Sequence, residues 1–567
     1  MAVGVAVVFA CAGTVSAAAS DENAGTEAAP FKTINGAAAR VKPGDLVIVR
    51  PGVYRETVVT KIGGEGEGSR VTFRAEPKHQ AIVDGADVIT GFEAVADRPG
   101  VYLRKNATPM WPRFVAKEWA ATAFSTCREQ TYVDGQLLRQ ALRMDDLQPG
   151  TFFVDVHGDH GPRNLYVQLE SNGDPNQHRV EYTTRQRLWE CPAPYVTIEG
   201  FVLQHALTNR HPSAAVLPGR HALLADNVIQ WTNGHGVAIR ATARYRGNIL
   251  QHNGSLGGAG GGENVLFEGN VVRHNNWRRF GTGIYGWEEG GVKFVGLRSS
   301  TVRGNDVYRN DGSGLWFDMR CGDVIVENNR CHHNQPFAAY KGYTSGIVVE
   351  ISRNFVIRNN LCFNNGQQQW AAAGITLAYS YDCRVVNNTC YGNRFGIAVQ
   401  EHRLLTSPER FDPPIDCSGD IGDPRTRHTP PPCYDTIENN LCFDNEEAQF
   451  AMRFADESFR PQMCSRMGFV FRRNLYWDGR NDAPAMAVWG LEGKPGRVAF
   501  KSLDDWRKAT GQEADSIWAD PRCVDAKGGD FRLRKDSPAQ GFGADVESIP
   551  TGGPEVGNSS SKRDGVR

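Results

Sequence analysis

Residues 314–334 read GLWFDMRCGDVIVENNRCHHN, and residues 346–366 read GIVVEISRNFVIRNNLCFNNG. The second stretch begins thirty-two residues after the first and nearly copies it. Each opens on Gly, apolar, any, apolar, acid, with Asp318 in one copy and Glu350 in the other. Each then runs to an Asn followed two residues later by Cys: Asn329 and Cys331, Asn360 and Cys362. Short runs of period-2 alternation read as strands. Strands repeated at this interval bury their apolar side only by stacking one turn of chain on the next.

The same two patterns extend outward from this pair. Asn recurs at Asn227, Asn248, Asn270, Asn305, Asn329, Asn360, Asn388, Asn440 and Asn474, and the Gly-led strand recurs at Gly236, Gly291, Gly314, Gly346, Gly374 and Gly396. The step from Gly to the next Asn is 12, 14, 15, 14 and 14 residues in five turns, while the step from Asn to the next Gly varies from 8 to 21. A constant half and a variable half describe regular coils with loops inserted at one corner. The fold expected is all-β: a right-handed parallel β-helix of the pectin-lyase-like kind. A leucine-rich repeat needs a Leu consensus that this chain lacks. The Asn residues are expected to adopt left-handed turn conformations and to bond amide to amide between coils. Cys331, Cys362, Cys390 and Cys442 are expected to form an internal apolar column rather than a metal site.

Strand phase places the two acids. Leu315 and Phe317 alternate with Trp316 and Asp318, and Ile347 and Val349 with Val348 and Glu350. If the apolar set points into the coil, Trp316, Asp318 and Glu350 point out. Neighbouring strands lie about 4.8 Å apart, so the two carboxyl groups are expected roughly 5 Å apart. A retaining glycosidase holds its nucleophile and its acid/base about 5–5.5 Å apart. Asp318 and Glu350 are therefore the candidate catalytic pair. The same outward face supplies Lys293, Trp316 and Gln400 as candidate substrate contacts, and the bordering loops supply Trp287, Glu288, Glu289 and Tyr343, with Tyr285 and Lys341 beside them.

The flanks are read as follows. Residues 1–19, apolar then small, read as a signal peptide, which places the protein outside the cytoplasm, secreted or periplasmic. Lipidation at Cys11 and a buried N-terminal strand are the alternatives. Residues 20–91 carry a short capping helix and the first coils, 92–190 an inserted antiparallel β subdomain, 191–480 the main β-helix, 481–551 a C-terminal cap with one helix, and 552–567 a disordered tail. No later stretch is long and apolar enough for a membrane span. Cys417 and Cys433 bracket a Pro-rich loop and are expected to pair after export. Sixty-three Lys and Arg against 64 Asp and Glu leave a net charge of −1. That is not the basic balance that nucleic-acid binding requires.

The run EEGGVKF, GLWFDMRCGDVIVENN and VVEISRNFVIRNNLCF resembles the core of the β-xylosidases of glycoside hydrolase family 120. The resemblance implies a right-handed β-helix with an added β-sandwich domain, retaining cleavage of xylo-oligosaccharides, a nucleophile at Asp318 and an acid/base at Glu350. It also matches Glu288 to Lys293 to the family's E-x-x-G-I-K stretch. The function expected is a retaining glycoside hydrolase with no cofactor, acting on a carbohydrate. The alternatives are a polysaccharide lyase or uronan epimerase, with Lys293 or an Arg as base and Ca²⁺ on Asp318, Glu350 and Glu288, and a non-catalytic carbohydrate-binding β-helix.

Overall fold

The computed structural model describes residues 11–108, 127–155, 163–208, 213–278, 289–336, 344–366, 372–401, 434–454, 460–465, 467–480 and 485–551. Strands one coil apart pair in parallel and in register throughout the solenoid, as Val324 with Phe355, Cys331 with Cys362 and Asp318 with Glu350 do. Among the described residues one such ladder has thirteen strands, from Gly52–Tyr54 to Ile517–Trp518. Two further ladders meet in the long strand Gly290–Arg303, which passes from one into the other. Parallel neighbours joined by a crossover on one side make the β-helix.

Core and ladders follow from the repeat. Val292, Leu315, Ile347, Ile375, Ile397 and Phe450 occupy one inward position in successive coils, and Phe294, Phe317, Val349, Leu377, Val399 and Met452 the next; all are buried in one continuous core. Phe294 and Phe317 stack with centroids 4.9 Å apart. The Cys column lies where expected, with Cys331, Cys362, Cys390 and Cys442 wholly buried and in register. Burial pushes the Cys362 and Cys442 thiols well up. Cys127, Cys191, Cys321, Cys383, Cys464 and Cys523 are free thiols. Cys417 and Cys433 lie outside the described residues.

The nine Asn residues form an unbroken amide ladder. Each Nδ2 donates to the Oδ1 of the next, at 3.0 Å from Asn329 to Asn360 and 2.9 Å from Asn360 to Asn388. The left-handed residue, however, is the one before: Asp226, Asn328, Asn359, Asn387 and Asn439 carry φ of 54–57°. The ladder Asn keeps an ordinary backbone so that its side chain can point into the coil. A second ladder, not expected, runs five residues later through Asn253, Asn275, Asn310, Asn334, Asn365, Asn393 and Asn445. Asn360→Ala removes the acceptor of Asn329 and the donor to Asn388. Leaving buried polar groups unmade costs about 1–3 kcal/mol each. We expect its urea midpoint to drop while kcat is unchanged; a wild-type midpoint would show that the ladder carries no stability.

An outer column stacks Trp231 on His252 at 4.4 Å and His252 on His274 at 5.0 Å. Burial pushes the His252 imidazole down to about 3 from 6.5, and the neighbouring His274 and Arg273 push the same way. The unfolded chain takes up that proton near 6.5 and the folded chain does not. Stability is therefore full above that pH and is lost as pH falls from about 6.5 towards 3. His252→Phe keeps the stack and removes the titration. Its urea midpoint should fall less than the wild type's between about pH 7 and about pH 5.

Both ends of the core are closed. Ile34–Ala38 forms the N-terminal helix, capped by Thr33, with Ile34 and Ala37 in the core beside Phe31. Cys11–Val15, which the sequence reading gives to the leader, forms a strand paired in parallel with Leu46–Val49, and Val15 is wholly buried. At the other end the helix Leu503–Thr510 sets Trp506 against Phe450 and Phe500. The chain then turns back along the outside, packing Phe531, Ala539 and Ile549 on Phe363, Tyr391, Phe443 and Leu475. The inserted sheets run from Ala86–Ile89 to Val180–Thr183 with their own core around Phe152, Leu165 and Val167. Their pairing is antiparallel except where Arg139–Ala141 joins Thr151–Asp155 in parallel. Among the described residues no helix is long and apolar enough to cross a membrane.

Candidate active site

Three consecutive strands build the site: Gly290–Arg303, Ser313–Asp318 and Ile347–Glu350. Each has a Gly at or beside its first residue, Gly290, Gly314 or Gly346, for a steric reason. A Cβ on Gly314 would lie 2.6 Å from the Gly346 carbonyl, and one on Gly346 would lie 2.8 Å from that of Gly374. Backbones of adjacent coils touch there, which fixes where the strand starts and so where its fourth following residue ends.

That residue is Asp318 in one coil and Glu350 in the next, paired directly in register. At about 4.8 Å between strands the two carboxylates are lateral neighbours. Lys293 Nζ lies 3.0 Å from Asp318 Oδ2 and 3.8 Å from the centroid of the Trp316 ring. The Trp316 indole Nε1 donates to Glu350 Oε2 at 3.0 Å. Four side chains thus form one connected group, with Lys293 and Trp316 reaching from the row of second residues towards the row of acids.

All four point out of the coil, as strand phase requires, but they are not on an open face. Lys293 is 3 % exposed, Trp316 4 % and Asp318 5 %, with Glu350 half-buried. Strand alternation reports which way a side chain points relative to its own coil and carries no information on what lies over it. In such a covered place a charge pair and an indole hydrogen bond are stronger than in water.

The backbone beyond the acids is strained. Met319, Arg320 and Ile351 have φ of 47°, 61° and 48°. In the preceding coil the position after Val295 is Gly296, which adopts φ of 64° at no steric cost. A β-branched residue in this region costs on the order of 1–3 kcal/mol, and such strain concentrates at functional sites. Ile351 is held there by its burial and by its amide donating to the Ala378 carbonyl at 2.9 Å. Behind Asp318, burial pushes the Cys321 thiol up to about 12, with Asp318 adding to it, so Cys321 is no nucleophile.

The remaining candidates fall differently. Gln400 continues the row of acids but follows Ala378, two coils past Glu350, or about 10 Å. It is 1 % exposed and neither amide atom has a hydrogen-bond partner. Glu289 is buried, four residues ahead of Lys293 and about 13 Å back along the strand, so it is not in the group of four. Trp287, Glu288, Tyr343, Tyr285 and Lys341 lie outside the described residues. Arg453, in register after Gln400 and 3 % exposed, extends the same row. The Gly signal misses it because Gln449 takes the place of Gly at the start of its strand. His332, at the turn after the Cys column, is structural, stacked between Tyr308 and Phe363. Among the described residues no group of three His, Cys, Asp or Glu side chains converges as a metal site.

Comparison with known proteins bears on the architecture. Residues 214–389 match the family described as "Right handed beta helix region". The protein YwoF of Bacillus subtilis (strain 168) is 22 % identical over 534 residues, covering 93 % of this chain and 91 % of that protein. The structure of XylC in complex with xylose is similar with a TM-score of 0.63 at 16 % identity, covering 90 % of this chain and 87 % of that one. At such identities the likeness concerns the fold, and the chain is a right-handed parallel β-helix.

Proposed function

We propose that the protein is a retaining glycoside hydrolase acting on plant or algal oligo- or polysaccharides, with xylo-oligosaccharides as the class to which the motif resemblance and the likeness to the xylose-bound XylC structure point. The observation that carries the reading is the register pairing of Asp318 with Glu350. Neighbouring strands lie about 4.8 Å apart, which supports the roughly 5–5.5 Å of a retaining pair over the 6.5–9.5 Å of an inverting one. Asp318 attacks the anomeric carbon as the glycosidic C–O bond breaks, and Glu350 gives its proton to the leaving oxygen. Glu350 then takes a proton from water, whose oxygen displaces Asp318 from the same carbon. Lys293 compensates the negative charge that a nucleophilic carboxylate must carry. The indole N–H of Trp316 fixes the orientation of Glu350.

An elimination with Lys293 as base fits less well. Two contacts of its Nζ, with the Asp318 carboxylate and the Trp316 ring face, suit a cation. The test is a panel of aryl glycosides, xylosides included, beside uronate polymers with and without chelator. Reducing ends with retained anomeric configuration are expected. An inverted product, or ultraviolet-absorbing unsaturated sugars whose release stops with chelator, would overturn the reading.

A further inference from the structure

The aromatic row outside the Cys column runs into a cavity. Cys362, Cys390 and Cys442 point inward, so the residues after them, Phe363, Tyr391 and Phe443, point out, and Trp477 continues their row in register. The returning C-terminal chain covers the start of this row: the Phe531 ring centroid lies 5.0 Å from that of Phe363 and 5.4 Å from that of Tyr391. The hairpin of Cys523–Asp525 with Asp530–Leu533 then leaves a gap against the solenoid. The gap is a cavity of about 280 Å³, with Tyr391, Phe443, Asp444 and Trp477 on its solenoid wall and Asp520 and Cys523 on the other. At roughly 30 Å³ per water it has room for about nine.

The walls carry polar groups that the fold does not use. Tyr391 is 9 % exposed, yet among the described residues its hydroxyl makes no hydrogen bond. A phenol buried to that degree ordinarily has a partner. Asp444, Cys523 and Asp525 all act on this hydroxyl, which places it at the cavity rather than in the core. Asp444 and Asp520 each spend Oδ1 on a backbone amide, that of Gly479 at 2.9 Å and that of Arg522 at 2.8 Å, and no described residue uses either Oδ2. The acids on the walls, Asp444, Asp520 and Asp525, are matched in number by the bases Arg522, Lys527 and Arg534. Arg522 is taken from outside by Asp536 at 2.8 Å, and the neighbouring Asp478 and Asp530 are closed by Arg480 and Arg532. No positive excess is left to hold an anion, and Lys527 and Arg534 stand against a cation.

We infer that this cavity binds one ring of a neutral sugar, its C–H face on Trp477 and its hydroxyls on the Tyr391 hydroxyl and on Oδ2 of Asp444 and Asp520. A carboxylate oxygen accepts from a sugar hydroxyl, a phenol both donates and accepts, and an aromatic ring suits the apolar face. The choice of a sugar rests on the hydrolase reading; the choice of a neutral, hydroxyl-bearing ligand rests on the cavity alone. The cavity lies on the thirteen-strand ladder and not on the ladder that pairs Asp318 with Glu350. A polysaccharide anchored here stays on the enzyme while another stretch of it enters the catalytic group.

The test is surface plasmon resonance of the full-length chain over xylohexaose, and over hexagalacturonate as its acidic match, each tethered by its reducing end. Two classes of site are expected on xylohexaose, one at the catalytic group and one here. Trp477→Ala should remove the second class. Tyr391→Phe should weaken it by about threefold or more, the loss of one neutral hydrogen bond. That change takes away a hydroxyl that no described residue uses, so the variant should melt no lower than the wild type. Both variants should keep the wild-type kcat/KM on an aryl xyloside. Xylohexaose binding that neither variant alters, no binding of xylohexaose, or tighter binding of hexagalacturonate would overturn the inference. The two proposals fail separately: a chain with the Trp477-dependent class of site that cleaves no glycoside overturns the hydrolase reading alone. A chain that cleaves aryl glycosides and binds xylohexaose equally well in both variants overturns this one alone.

Discussion

Asp318→Ala should lower kcat on every glycoside substrate by on the order of 10⁴-fold or more, the scale on which enzymes lose rate when a covalent nucleophile is removed. It should also destabilise the protein. Asp318 is buried against Lys293 at 3.0 Å, and deleting one member of a buried ion pair costs about 3–5 kcal/mol because the other charge stays behind. The two effects can be separated. Lys293→Met fills the lysine's place with an apolar chain, and replacing both members of such a pair is close to neutral. The double variant Lys293→Met, Asp318→Ala is therefore expected to regain most of the urea midpoint lost by Asp318→Ala and none of the activity. Recovery of activity along with stability would mean that Asp318 is a structural partner of Lys293 and that the nucleophile is elsewhere.

The solenoid was legible because its signal is repetitive. A Gly that lets neighbouring backbones touch, an apolar pair pointing inward and an Asn in an amide ladder each recur at a nearly fixed step, so six or nine weak signals add to one strong one. Asp318 and Glu350 were legible through the same register, since a one-residue slip would turn both into the core. What lay outside the two recurring patterns was not legible. The second Asn ladder has the same period but follows the first by five residues, across the short strands that carry the Cys column. The contact of Trp316 with Glu350 depends on side-chain torsions that alternation does not constrain. The burial of Lys293, Trp316 and Asp318 depends on what covers the face.

Glu350→Ala separates the two carboxylates by the kind of failure it produces. General acid–base catalysis contributes roughly 10²–10⁴-fold, and that is the loss expected on natural oligosaccharides, whose leaving oxygen needs a proton. An aryl glycoside with an acidic phenol needs little protonation, so Asp318 should still form the glycosyl-enzyme, which then waits for a water that nothing deprotonates. Azide attacks without a general base. Adding it should restore turnover of the Glu350→Ala protein and give a glycosyl azide that keeps the substrate's anomeric configuration, because two displacements occur at the same carbon. In the Asp318→Ala protein no covalent species forms, and azide entering the vacated space can give only the inverted azide in a single displacement. Proton NMR of the anomeric signal reads both outcomes. The retained azide from Asp318→Ala and the inverted one from Glu350→Ala would exchange the two roles and leave the pair intact. Trp316→Phe adds an independent reading: it keeps the ring beneath Lys293 and removes the N–H that holds Glu350. If Glu350 is the acid/base, this change should slow oligosaccharides more than aryl glycosides with acidic leaving groups. Equal slowing of both would place the contribution of Trp316 in binding rather than in the orientation of the acid.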